Sequence, residues 1–147
     1  MTTKTISTHR PITRSIVLGI IGGLIGGVVF GIMMAMQNML PMVGMLIGQE
    51  SPIVGFIIHM VISAFIGGSF GILSSRLPSS WAAFLIGGGV YGVIWWVLGA
   101  LILMPVMLGM NEMVLQIGDM QIMSLVGHII FGIVMGGAFK AAAERMS

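Results

Sequence analysis

The charged residues fall so that four long stretches of the chain carry none: Ser15 to Gln49, Ser51 to Ser75, Leu77 to Asn111 and Met120 to Phe139. A helix needs about 20 apolar residues to cross a hydrocarbon layer roughly 30 Å thick, and each stretch is long enough. Backbone groups in lipid must be hydrogen-bonded within their own segment, so the stretches read as helices. A membrane barrel would instead show short alternating strands. Breaks at Ser, Pro and charged positions predict spans at 15–37, 51–74, 80–103 and 121–140. The expected fold is all-α, one four-helix transmembrane domain over residues 1–147.

The two halves resemble each other. Ile25-Gly26-Gly27-Val28-Val29-Phe30-Gly31 matches Ile86-Gly87-Gly88-Gly89-Val90-Tyr91-Gly92, and Pro41-Met42-Val43-Gly44-Met45 is echoed by Pro105-Val106-Met107-Leu108-Gly109-Met110. His59 precedes Gly67-Gly68 by eight residues, as His128 precedes Gly136-Gly137. A repeat of two spans restores the same topology, so the expectation is two tandem two-helix repeats about a pseudo-twofold axis along the membrane normal. Helices in lipid associate through close backbone approach at small residues. Gly19, Gly23, Gly27 and Gly31 form such a seam on the first span, with Gly67, Gly68 and Gly71 on the second and Gly132 and Gly136 on the fourth.

Composition agrees: 57% of the residues are hydrophobic and 7% charged, against about a quarter charged in soluble domains. Lys4, Arg10, Arg14, Arg76, Lys140 and Arg145 fall on one side of the spans, and Glu50, Glu112 and Asp119 on the other. The positive-inside rule then places both termini in the cytoplasm, in a membrane of the bacterial inner type. The first apolar stretch is too long for a secretory signal and lacks a suitable cleavage site, so it is expected to be retained. The net charge of +2 comes from few residues, all beside spans, and gives no reason to expect nucleic acid. The absence of cysteine removes disulfides, thiolate metal sites and covalent haem attachment. Phosphate loops, nucleophile elbows and Ser/His/Asp sets are missing, so no enzymatic activity is expected.

Ionisable residues within a bilayer are costly and face the bundle interior with a partner. His59 and His128 lie at matching depths, about 10 to 12 Å below the outer boundary at 1.5 Å per residue. In an up-down bundle the second and fourth helices are diagonal, so the two imidazoles could bind one b-type haem iron axially, with Gly31 and Gly92 admitting the macrocycle and Phe30, Tyr91, Trp95 and Trp96 packing on it. This arrangement is similar to the haem-binding four-helix core of membrane b-type cytochromes, and the similarity, which is one of site geometry, implies an electron-transfer subunit. Two other readings stand beside it: the histidines donate hydrogen bonds that knit the bundle, to Ser63, Ser124 or Gln37, or one of them donates to a quinone.

Met36, Met39, Met42 and Met45 in one half and Met104, Met107, Met110 and Met113 in the other are soft ligands suited to Cu(I), resembling the Met-lined paths of membrane copper carriers. Steps of three residues fan such a set around a helix, and Met also serves as an adaptable gap filler. The outer connections, 38–50 and 104–120, stay apolar and are expected to hug the interface or dock on another subunit. The sequence thus points to a non-enzymatic cofactor-binding or accessory subunit of a membrane complex, with the haem protein as its sharpest version. Cu(I) binding or transport and a purely structural or self-associating role are the alternatives. Its expected partners are the bilayer, other membrane subunits or copies of itself, and a quinone.

Overall fold

The computed structural model describes residues 11–146, and every regular element among them is helical. Lys4, His9 and Arg10 lie outside the described residues. Four helices are long and apolar enough to span a membrane: Ile12–Met36, Pro52–Arg76, Trp81–Met107 and Asp119–Arg145. In detail, α1 is Ile12–Met36, α2 the short Leu40–Gly44, α3 Pro52–Leu73 and α4 Trp81–Trp95; a π-helical segment, Trp96–Leu103, then leads into α5, Met104–Met107, and α6 is Asp119–Arg145. Ser51 caps α3 by accepting from the Val54 N–H at 3.5 Å, and Ser80 caps α4 by accepting from the Ala83 N–H at 3.2 Å. The Gly118 N–H ahead of α6 donates to Gln121 Oε1 at 3.0 Å.

The helices alternate in direction, so Arg14, Arg76, Lys140 and Arg145 share one end of the bundle and Glu50, Glu112 and Asp119 the other. α1 packs closely on both α3 and α6, and α4 packs closely on α6. Each of these contacts is a backbone contact made at glycine. A side chain on Gly23 would strike the Ser63 carbonyl and Gly67 Cα of α3, and one on Gly88 would strike the Gly132 carbonyl of α6. The fourth seam, between α3 and α4, is held by side chains: Tyr91 and Ser69 hydroxyls hydrogen-bond at 2.7 Å, and the rings of Phe65 and Trp95 meet edge to face at 5.9 Å. At the basic end the core is aromatic, with Phe84 stacked on Phe139 at 5.3 Å and Phe70 edge-on to Phe139 at 6.0 Å. The outward faces are apolar, including Ile21, Ile25, Ile57, Val61, Phe65, Ile86 and Val90, as lipid contact requires.

The two outer connections differ. In the first, Leu40 and Val43 of α2 are buried, and Gly44 and Gly55 let α2 lie directly on the start of α3. Through α2 this segment folds back on its own bundle, while Met45 and Ile47 just after it stay exposed. The second keeps Val106, Met107, Met110, Leu115, Ile117 and Met120 exposed. Its attachment follows from a proline. Pro105 has no N–H, so in a regular helix the carbonyl of Leu101 would lose its donor. The Leu115 N–H returns to that carbonyl at 2.9 Å, and Leu115 takes a left-handed φ of 59° as it does so. The Trp96 indole N–H also ties the π-helical segment to the Gln121 carbonyl of α6 at 2.9 Å.

Candidate functional site

The two imidazoles within the bundle lie in its acidic half, whereas its buried serines are spread from Ser15 and Ser74 at the basic end to Ser124. His59 is the eighth residue of α3, and His128 the tenth of α6, about 11 and 14 Å along their helices. Both project toward α1, where the phenyl ring of Phe30 lies against each of them: 5.4 Å from the imidazole of His59 and 4.8 Å from that of His128, edge-on in both cases. The ring fits there because residue 127 is glycine; any side chain on Gly127 would collide with it. Phe30 and His59 are buried, and His128 is half-buried.

The hydrogen bonds of the two histidines differ in kind. His59 Nε2 is 2.9 Å from the carbonyl of Gly27 on the neighbouring helix α1. His128 Nδ1 is 2.8 Å from the carbonyl of Ser124, one turn back on its own helix, and 3.3 Å from the Ser124 hydroxyl. A carbonyl oxygen only accepts, so the ring nitrogen facing it must carry the proton. His59 is thereby the Nε2–H tautomer and His128 the Nδ1–H tautomer. Neutral imidazole has one N–H, so His59 Nδ1 and His128 Nε2 are both left as lone pairs.

The glycines singled out from the sequence each adjoin one histidine. A Cβ on Gly31 would stand 3.3 Å from the His59 ring and closer still to Phe56, and one on Gly92 would strike the His128 carbonyl. Gly92 thus serves the α4–α6 backbone contact, and the depth of Gly31 is shared with Phe56. Ser124 is the partner of His128; for His59, the partner is a main-chain oxygen rather than Ser63 or Gln37, and the Gln37 amide instead donates to the Met33 carbonyl at 3.2 Å. The carbonyl of Gly27 and the ring of Phe30 were not foreseen in these roles. Gly127, immediately before His128, was the available signal that a large group from another helix enters at this height.

These residues do not fit a bis-imidazole haem as they stand. Such a haem needs an axial nitrogen from each side and a flat space between them. His59 Nε2 is engaged by Gly27, and the space holds Phe30. The eight methionines occupy different surroundings: Met36, Met45, Met107 and Met110 are exposed, Met39 and Met104 pack against the core, and Met42 and Met113 are half-buried. Among the described residues, no three His, Asp or Glu side chains cluster as a metal site would require.

The sequence from residue 13 to residue 147 matches the model of a family of unknown function, DUF6789. The chain belongs to that family. No curated protein and no solved structure matches it.

Proposed function

We propose that the chain is a non-enzymatic accessory subunit of a larger membrane complex, with both ends in the cytoplasm, and that its second outer connection is what it presents to its partners. The observation that carries this reading is the contrast between the connections: the first buries Leu40 and Val43 against its own bundle and exposes only Met45 and Ile47 among its large apolar side chains, whereas the second leaves Val106, Met107, Leu115, Ile117 and Met120 exposed although the backbone is tied down at Leu101 and Leu115. A fixed segment with an uncovered apolar surface suits docking. The basic end would face the cytoplasm by the positive-inside rule.

Native electrophoresis of membranes extracted in mild detergent tests it. The chain is expected to migrate in an assembly larger than itself, and Ile117→Lys should release it without altering its helical content. Migration as a lone polypeptide under every extraction condition would refute the proposal, and an assembly made only of this chain would favour self-association instead.

A further inference from the structure

The second outer connection has two features that its apolar character does not explain. Leu115 holds a left-handed φ of 59°, a conformation that glycine adopts more readily. Its N–H closes on the Leu101 carbonyl, and a glycine N–H would do so equally well. What glycine lacks is the side chain, which in Leu115 is 56% exposed. Little packing inside this chain offsets the backbone cost, so the leucine side chain has its contact to offer outside. The second feature is charge. Glu112 and Asp119 stand before and after Leu115 and Ile117 in the chain, and all four are exposed. Neither carboxylate forms an ion pair among the described residues. Asp119 also opens α6, where a negative charge suits the helix N-terminus, whereas Glu112 lies in a three-residue turn, Asn111–Met113, with no such duty. From Gln37 to Glu50 and from Leu103 to Met120 the sequence contains no Lys, Arg or His. The outward end of the chain therefore offers carboxylates and no cation.

Lipid, a second copy or a different polypeptide could cover this surface, and charge separates them. Segments that lie in the lipid interface carry Lys and Arg on their polar side; here the polar side is carboxylate. A second copy inserted the same way brings the same acidic end to the contact, and like charges set against each other oppose association. A different polypeptide can bring the missing cations. Building on the docking reading above, we propose that the second outer connection docks through Leu115 and Ile117 on a different polypeptide whose outward surface is apolar and rimmed by Lys or Arg, which pair with Glu112 and Asp119. The apolar centre supplies the hold, and the charged rim selects the partner.

The assembly is extracted in mild detergent, and its dissociation on dilution is followed by size-exclusion chromatography at about 0.1 M and about 1 M NaCl, where the screening length falls from about 10 Å to about 3 Å. The wild-type assembly is expected to dissociate more readily at the higher salt. Glu112→Lys should weaken it by about tenfold or more at the lower salt, and Glu112→Gln with Asp119→Asn should remove most of the salt dependence. Glu50→Gln, on the first connection, should weaken it less. The chain contains no cysteine, so Gln116→Cys, at an exposed site between Leu115 and Ile117, introduces its sole thiol. In native membranes a short thiol-to-amine cross-linker on that thiol is expected to reach a lysine of another polypeptide. A disulfide-linked pair of this chain, or a cross-link to an aminophospholipid alone, would overturn the proposal. An assembly indifferent to salt and to the carboxylate substitutions would also overturn it while leaving the docking reading intact, whereas a chain that migrates alone removes both. Should the carboxylate variants misfold, as circular dichroism would show, the salt dependence of the wild-type assembly decides the matter.

Discussion

The pairs α1–α3 and α4–α6 are built alike and fastened differently. Both are helical hairpins joined at the same end, both close on glycine, and both carry one histidine in the acidic half. In the first pair the histidine is spent on the fold: His59 crosses from α3 to the Gly27 carbonyl of α1 and adds a polar bond to a glycine seam. In the second, His128 bonds to its own helix at Ser124, which fixes the ring's orientation and adds nothing between helices. The same side chain at a similar depth therefore serves as a fastener in one pair and as an oriented acceptor in the other. An internal hydrogen bond to a backbone carbonyl is the device by which ligand histidines elsewhere are held in one tautomer. The two pairs meet at the α1–α6 contact and at the side-chain seam between α3 and α4, and Phe30 links their histidines, since its ring touches both.

Removing the shared ring is the severest way to break the comparison. Phe30→Ala should destabilise the bundle by about 3–5 kcal/mol, the usual cost of deleting a buried aromatic side chain, as measured by denaturant titration in mixed micelles. Overpacking one seam comes next. Gly23→Val forces α1 away from Ser63 and Gly67 and should cost about 1–3 kcal/mol or more, whereas Gly99→Ala, where the added methyl finds only the Trp95 ring at 3.9 Å, should be close to neutral. The histidines then separate the two pairs directly. His59→Phe should lose about 0.6–1.7 kcal/mol, the range for interhelical hydrogen bonds in bilayers. His128→Phe removes only a bond within one helix and should cost less than His59→Phe in the same titration. The smallest effect is expected at the edge of the second pair: Leu115→Gly relieves a left-handed φ that costs a non-glycine residue about 1–2 kcal/mol, offset by greater freedom of the unfolded chain, for a net change within about 1 kcal/mol. Equal losses at His59 and His128 would dissolve the contrast, and a larger loss at His128 would reverse it.

The spans were legible because charge is an unambiguous signal in an apolar chain. The predicted stretch at 51–74 differs from α3, Pro52–Leu73, by one residue at each end, and the prediction at 121–140 locates α6 while missing its ends at Asp119 and Arg145. The π-helical segment was not legible: Trp96–Leu103 is uniformly apolar and carries no periodicity to distinguish one helical winding from another. Pro105 warned of an interruption, but not that Leu115 would supply the missing donor. The inward fold of α2 was hidden for a similar reason, since apolar residues in a short connection look the same whether they meet lipid or protein. Only the facing glycines, Gly44 and Gly55, distinguish the two cases, and only once both are placed. At the candidate site the sequence supplied the histidines and their depth. It could not supply which ring nitrogen each would commit, because the acceptors are main-chain carbonyls, present at every residue and selected only by packing.

The contrast between the two histidines is read most directly from their tautomers. Nitrogen NMR of ¹⁵N-histidine-labelled protein in nanodiscs, without added ligand and with His59→Phe and His128→Phe used for assignment, reports which ring nitrogen carries each proton. Opposite tautomers are expected, with the proton on Nε2 in His59 and on Nδ1 in His128. Finding the same tautomer at both positions, or a proton on His128 Nε2, would contradict it.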